Sequence, residues 1–213
     1  MTEIKEPYVK FFEDAPKIPI KLLQLQEEGK VVFFCGAGIS YPAGLPGFHD
    51  LTTKIHKVLN HKRLKKEQNL LRNKKYDELL DILEWKMAKG KSTMRQALYE
   101  ILQPDLSTSA SWKTHEALLQ LSTLHDEKRS VHLVTTNFDR IFEYVIHKNK
   151  MEIPTYCAPF LPIPRPSSWN GLVYLHGLLP KQQEDEEALK RLVVTSGDFG
   201  LAYLKDRWAS QFG

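Results

Sequence analysis

Three short stretches of this sequence carry residue types suited to chemistry, and each directly follows an apolar run. Gly36-Ala37-Gly38-Ile39-Ser40 follows Val31-Val32-Phe33-Phe34-Cys35. Glycines let a backbone approach a phosphate closely, and main-chain N–H groups with a helix end hold its charge. Thr136-Asn137-Phe138-Asp139 follows a second apolar run that ends at Thr135. The Asn137 amide both donates and accepts hydrogen bonds, and the Asp139 carboxylate only accepts. His176-Gly177 follows Leu172-Val173-Tyr174-Leu175. An imidazole with its ordinary pKa near 6.5 takes up a proton near neutral pH. Each group also has a plain structural use. Asn137 and Asp139 suit the cap of a helix starting near Arg140, His176 suits a turn, and Gly36-Ala37-Gly38 suits a tight bend. The dinucleotide fingerprint wants a small residue three places after the second glycine, where this chain has Tyr41.

Other patterns carry less. Gly90-Lys91-Ser92 mimics the end of a phosphate loop, but Trp85 stands where the first glycine belongs and no strand precedes it. His115-Glu116 lacks the second histidine of a zinc protease, since Leu119 holds that place. The remaining histidines show no ligand spacing, and no metal is expected. Cys35 and Cys157 form no CxxC pair, and two cysteines cannot build a four-cysteine zinc site. Residues 54–75 hold nine basic residues against Glu67 alone. Such a stretch is either a solvated face or a contact for an acidic partner or nucleic acid, and it lacks the interleaved aromatics of a single-strand stacking platform. Glu184-Asp185-Glu186-Glu187 suits a solvated turn or helix start.

These groups need elements to position them. The runs at 31–35, 131–135, 172–175 and 192–195 read as strands, the first buried on both faces. Helices are expected at 18–28, 51–59, 65–72, 76–88, 92–102, 114–124 and 140–147. Tyr76, Leu79, Leu80, Ile82 and Leu83 trace the stripe of a core-facing helix. Residues 151–170 contain five prolines and read as an irregular loop. Apolar strands alternating with helices predict an α/β fold, a doubly wound, mostly parallel sheet. The helical run at about 50–127 is then an insertion after the first strand. In such sheets ligands bind beyond the carboxyl ends of the strands, and all three polar motifs fall there.

Composition narrows the class. The 213 residues are 42% hydrophobic and 26% charged, with a formal net charge of +4. That is a globular chain, not a disordered polyelectrolyte, and one domain with a sizeable insertion accounts for it. No apolar run approaches the roughly 20 residues of a membrane span. The first residues hold no apolar signal region, and a cytoplasmic, reducing location is expected.

The stretch from Gly36 through Ala43-Gly44-Leu45-Pro46-Gly47-Phe48 resembles the sirtuin superfamily signature, a GAGxS turn followed by an A-G-[IL]-P-x-F loop. Thr136-Asn137-Phe138-Asp139 is similar to the family's T-Q-N-I-D segment, and His176-Gly177 to its catalytic H-G. The resemblance covers about residues 31–50, 131–142 and 171–177. It implies a Rossmann-like fold and NAD as substrate. On it, Gly36, Ala37, Gly38 and Ser40 serve the pyrophosphate, and Phe48 caps the nicotinamide pocket. Asp139 receives the carboxamide, Asn137 orients water or ribose hydroxyls, and His176 is the base.

The departures point further. The two CxxC pairs of deacylases are missing, Pro46-Gly47-Phe48-His49 stands for P-D-F-R, and Thr195-Ser196-Gly197 inverts the late G-T-S order. This pattern is similar to zinc-free sirtuin-like domains of bacterial antiphage defence proteins. It implies NAD hydrolysis to ADP-ribose and nicotinamide without a metal, in a longer polypeptide forming a homo-oligomer, with further domains or a partner protein sensing phage. Nucleic acid would enter only indirectly, and no membrane is expected. The alternatives are a non-catalytic sensor of NAD or ADP-ribose and a zinc-independent deacylase.

Overall fold

The computed structural model describes residues 7–87, 90–124, 129–162 and 170–205. A short antiparallel pair, β1 (Tyr8–Val9) and β2 (Ile18–Pro19), leads into α1 (Ile20–Glu27). The main sheet begins with β3 (Phe33–Cys35). A 3-10 helix, Ala37–Ala43, follows at once and ends at Gly44. Gly44 has φ +77°, a left-handed conformation that glycine adopts without strain.

Five helices separate β3 from the next strand: α2 (Phe48–Val58), α3 (Lys65–Arg72), α4 (Tyr76–Lys86), α5 (Lys91–Ile101) and α6 (Ala110–Ser122). Then come β4 (His132–Thr135), α7 (Ile141–Lys148), β5 (Thr155–Cys157) and β6 (Gly171–Tyr174). Two short helices, α8 (Glu186–Lys190) and α9 (Ser196–Phe199), precede a π-type turn at Gly200–Lys205. The sheet order is β3-β4-β6-β5 and every pairing in it is parallel. The fold is therefore α/β with a parallel sheet, as the alternation of strands and helices requires. Among the described residues no helix is long and apolar enough to cross a membrane.

Among the described residues, two large cores and a small one at Ala43, Leu45 and Ile141 hold this arrangement. Phe33, Cys35, Leu133, Leu172 and Tyr174 share one face of the sheet and pack on Leu119 of α6 and on Phe142 and Val145 of α7. Leu51 and Ile55 of α2, Leu80 and Leu83 of α4, and Met94 and Leu98 of α5 form a second core with Leu189, Leu192 and Val194. At about 25 cal/mol per Å², burying each large aliphatic side chain contributes roughly 1.5–3 kcal/mol. The second core fastens the helices to the segment after β6, which bears on the site below.

Three expectations about the fold need correction. No strand forms at 192–195. There the Val193 N–H donates to the His176 carbonyl, and the Val194 and Thr195 N–H groups both donate to Asp198 Oδ2. A carboxylate takes the ladder's donors, and the chain turns into α9. The fourth strand is β5 instead, inside the proline-rich stretch expected to be irregular. Pro154 and Pro159 flank β5, so no ladder N–H is lost within it; of that stretch, residues 163–169 lie outside the described residues. The first strand is also less enclosed than expected. It lies at the sheet edge, and Phe34 is 65% exposed.

Candidate active site

β3, β4 and β6 are neighbours in the sheet, so their carboxyl ends open side by side. Each carries one of the three polar motifs. The Thr136 N–H donates to the Cys35 carbonyl, and the Leu175 N–H donates to the Thr135 carbonyl. These bonds extend the ladder just past the strands and fix where the motifs leave it. Gly177 has φ +91°. The backbone reverses there, and His176 is left at the strand end.

A cavity of about 220 Å³ sits over these ends, lined by Ala37 and Ser40, by Thr136 to Asp139, by His176, and by apolar side chains that include Phe48, Val193 and Phe199. Of the expected residues, Ala37, Ser40, Phe48, Asn137, Asp139 and His176 all line it. Gly36 and Gly38 do not. A Cβ at Gly38 would meet no protein atom within 4 Å, so that backbone faces open space beside the cavity.

Ser40 is the hub of the polar floor. Its hydroxyl donates to Asp139 Oδ2 at 2.8 Å and accepts from Asn137 Nδ2 at 3.0 Å. His115 Nε2 lies 3.3 Å from the same oxygen. The single hydroxyl proton goes to Asp139, so His115 must donate from Nε2. Its Nδ1 is then a bare, buried lone pair without a hydrogen-bond partner. Asp139 Oδ1 accepts the Ile141 N–H at 3.1 Å. Asp139 thus supports the start of α7 and also lines the cavity.

The electrostatics follow from burial. Asp139 is almost wholly buried, and loss of water raises its pKa against the pull of Ser40, Ile141 and Asn137. Burial lowers His115 to about 4. His176 is likewise lowered to about 4, burial outweighing a hydrogen bond to the Thr136 backbone. Its ring sits 5.0 Å, edge-on, from Phe199 and 6.1 Å from Phe138. The ordinary basicity near 6.5 expected for His176 is therefore corrected: the imidazole is neutral at pH 7 and a weak base.

Sequence reasoning passed over His115, which was weighed only as a zinc-protease remnant. Its helix, α6, belongs to the run between β3 and β4 but packs on the 3-10 helix and α7. Only that packing brings it to Ser40, and no spacing in the chain signals it. His176 and Asn137 stand about 40 residues apart in sequence, yet adjacent strands place them on one cavity.

Residues 131–212 match the family model described as SIR2-like domain. Proteins with such domains are typically NAD-dependent enzymes, so the match supports a sirtuin-like reading of that part and an NAD-related function. A protein of Sinorhizobium fredii (strain NBRC 101917 / NGR234), called "Uncharacterized protein y4cA", is 33% identical over 203 residues, covering 92% of this chain and 16% of its own length. The chain therefore spans about a sixth of that relative.

Proposed function

We propose that this chain binds NAD and hydrolyses it to ADP-ribose and nicotinamide. One observation carries the reading: three separate stretches, each resembling a sirtuin-type motif, meet at the ends of three adjacent strands beside one mostly apolar cavity. The cavity suits the nicotinamide ribose end of a dinucleotide, while the turn from Gly36 to Gly38, open at Gly38, would receive the pyrophosphate.

In this reading the C1′–N bond breaks with its electron pair leaving on nicotinamide. The ring is cationic beforehand, so no acid is needed to expel it. Water forms the new C1′–O bond, and its proton passes to solvent. Asn137, held by Ser40, offers its amide to the water or the ribose hydroxyls. His176 is neutral and accepts a hydrogen bond from the same group; its low basicity means that it orients a proton more than it keeps one. Asp139 has four lone-pair positions, so it can receive the carboxamide N–H while holding Ser40 and Ile141. Phe48 closes the pocket against bulk water.

The absent CxxC pairs, through the resemblance to zinc-free sirtuin-like domains, support a defence role, in which NAD depletion disables an infected cell. On that proposal the domain works in the cytoplasm, within a homo-oligomer, beside further domains or a partner that senses phage. A second reading, an NAD or ADP-ribose sensor without turnover, is favoured by the low basicity of His176 and by the mutual pairing of Ser40, Asn137 and Asp139. Mixing the full-length, activated protein with NAD and measuring free nicotinamide separates the two. Stoichiometric binding without release would replace the hydrolase by the sensor.

A further inference from the structure

Away from the cavity, the end of α2 and the start of α3 gather three metal-ligating side chains. A ring nitrogen of His56, one of His61 and a carboxylate oxygen of Glu67 all lie within 4.8 Å of one another. His61 Nε2 is 3.1 Å from Glu67 Oε1. Neighbouring ligands on tetrahedral zinc, with bonds of about 2.0–2.1 Å, stand roughly 3.3 Å apart. His56 ends α2, Glu67 opens α3 and His61 lies in the turn between them, so that turn decides their approach. Asn60, at φ +49°, is part of that turn.

A second observation is independent of this clustering. His56 is 3% exposed, and its Nδ1 lies 2.8 Å from the Thr52 carbonyl, so Nδ1 carries the proton. Nε2 is then a bare lone pair, shielded from water, with no hydrogen-bond partner. A backbone carbonyl behind one ring nitrogen is how ligating histidines are oriented for a metal on the other. Glu67 is pinned in the same manner, its Oε2 accepting the Leu64 N–H at 2.5 Å.

Glu67 is 1% exposed and cannot hold its charge alone. Lys86 Nζ supplies a cation 2.9 Å from Oε1, and the Lys86 side chain is 35% exposed, so it can turn out to water. We propose that His56, His61 and Glu67 form a binding site for a zinc-class divalent ion, whose place Lys86 holds in the metal-free protein. Two imidazoles and one carboxylate suit zinc and leave a fourth position free. On binding, His61 moves its proton from Nε2 to Nδ1 and coordinates through Nε2. The fourth position faces an open cleft of about 570 Å³ lined by His56, His61, Lys57, Lys62 and Arg63 among others. Lys57 and Lys62 are exposed to water, and salt screens their repulsion of a cation only beyond about 10 Å.

The test is calorimetric titration of the chelator-treated chain with zinc chloride, repeated with cobalt to read coordination by visible absorption. The expected result is one site per chain. His56→Ala and His61→Ala should each weaken it by about 100-fold or more, and Lys86→Met should tighten it. His61 belongs to none of the buried apolar cores, so it can be changed without emptying one, and circular dichroism checks its fold. Absence of zinc binding, or binding that both histidine variants leave unchanged, overturns the proposal. So does inorganic phosphate binding in place of zinc and lost in His56→Ala, which would make the cleft an anion site. Affinity indifferent to Lys86→Met refutes the competition for Oε1.

Discussion

Replacing His115 by glutamine should flatten the acid side of the stability curve. In the folded protein His115 and His176 titrate near 4 because burial disfavours their charged forms, whereas an unfolded histidine titrates near 6.5. Above about pH 6.5 neither state holds the proton, and the stability contribution is complete. Between about 6.5 and 4 the unfolded chain binds a proton at each histidine and the folded chain does not. Stability therefore falls with pH through that window, by about 1.4 kcal/mol per pH unit for each histidine. The two together give a slope of about 2.7 kcal/mol per unit and a loss of roughly 7 kcal/mol at pH 4. Against a typical stability of about 5–15 kcal/mol, that is enough to unfold the domain. Asp139 opposes this at the acid end, since its raised pKa makes the folded state take up a proton more readily than the unfolded one. His56, also lowered by burial, adds to the slope. Both are common to wild type and variant and cancel in the comparison. Urea unfolding at pH 7, 6 and 5, with a constant m-value as the check on two-state behaviour, should show the slope reduced by about 1.4 kcal/mol per unit in His115→Gln. Equal slopes in the two proteins would refute the placement of His115 as a buried neutral imidazole.

Three further outcomes are expected. His176→Ala and Asn137→Ala should each lower nicotinamide release by about 100-fold or more with circular dichroism unchanged; near-normal turnover in either removes its role. Ser40→Ala leaves Asn137 Nδ2 and Asp139 Oδ2 without their partner and should cost about 2–4 kcal/mol in urea unfolding; a cost below about 0.5 kcal/mol would mean that water or a neighbour replaces the hydroxyl. Asp198→Ala leaves the fully buried Arg95 with Glu84 alone of its two carboxylates, takes the partner of Lys91, and frees the Val194 and Thr195 N–H groups. A loss of about 3–5 kcal/mol is expected, and a small one would show that the cluster is not closed to water.

The chemistry-bearing positions were legible because local rules govern them. An apolar run ending in glycine or a small polar residue marks a strand end whatever else the chain does, so the openings after β3, β4 and β6 were all placed from sequence. Helix bounds from α2 to α6 followed from periodicity to within a few residues. The run at 192–195 misled the same rules. Its composition suits a strand, but Asp198 takes the N–H groups that a ladder would have used, and hydrogen bonds made across a turn leave no trace in hydropathy. β5 was hidden for the converse reason, three strand residues between prolines being too few to register as a pattern.

By itself, then, the sequence determined which residue types stand at the strand ends and so where the sheet opens to a ligand. It could not determine proximity between elements joined by long connections. His115 reaches Ser40 only because α6 packs on the 3-10 helix, and His56 and His61 reach Glu67 only through the turn that joins α2 to α3. The burial that drives His115 and His176 to about 4 is likewise a property of that packing. An imidazole's pKa answers to the water and charges around it, and those are set by neighbours that the chain order does not name.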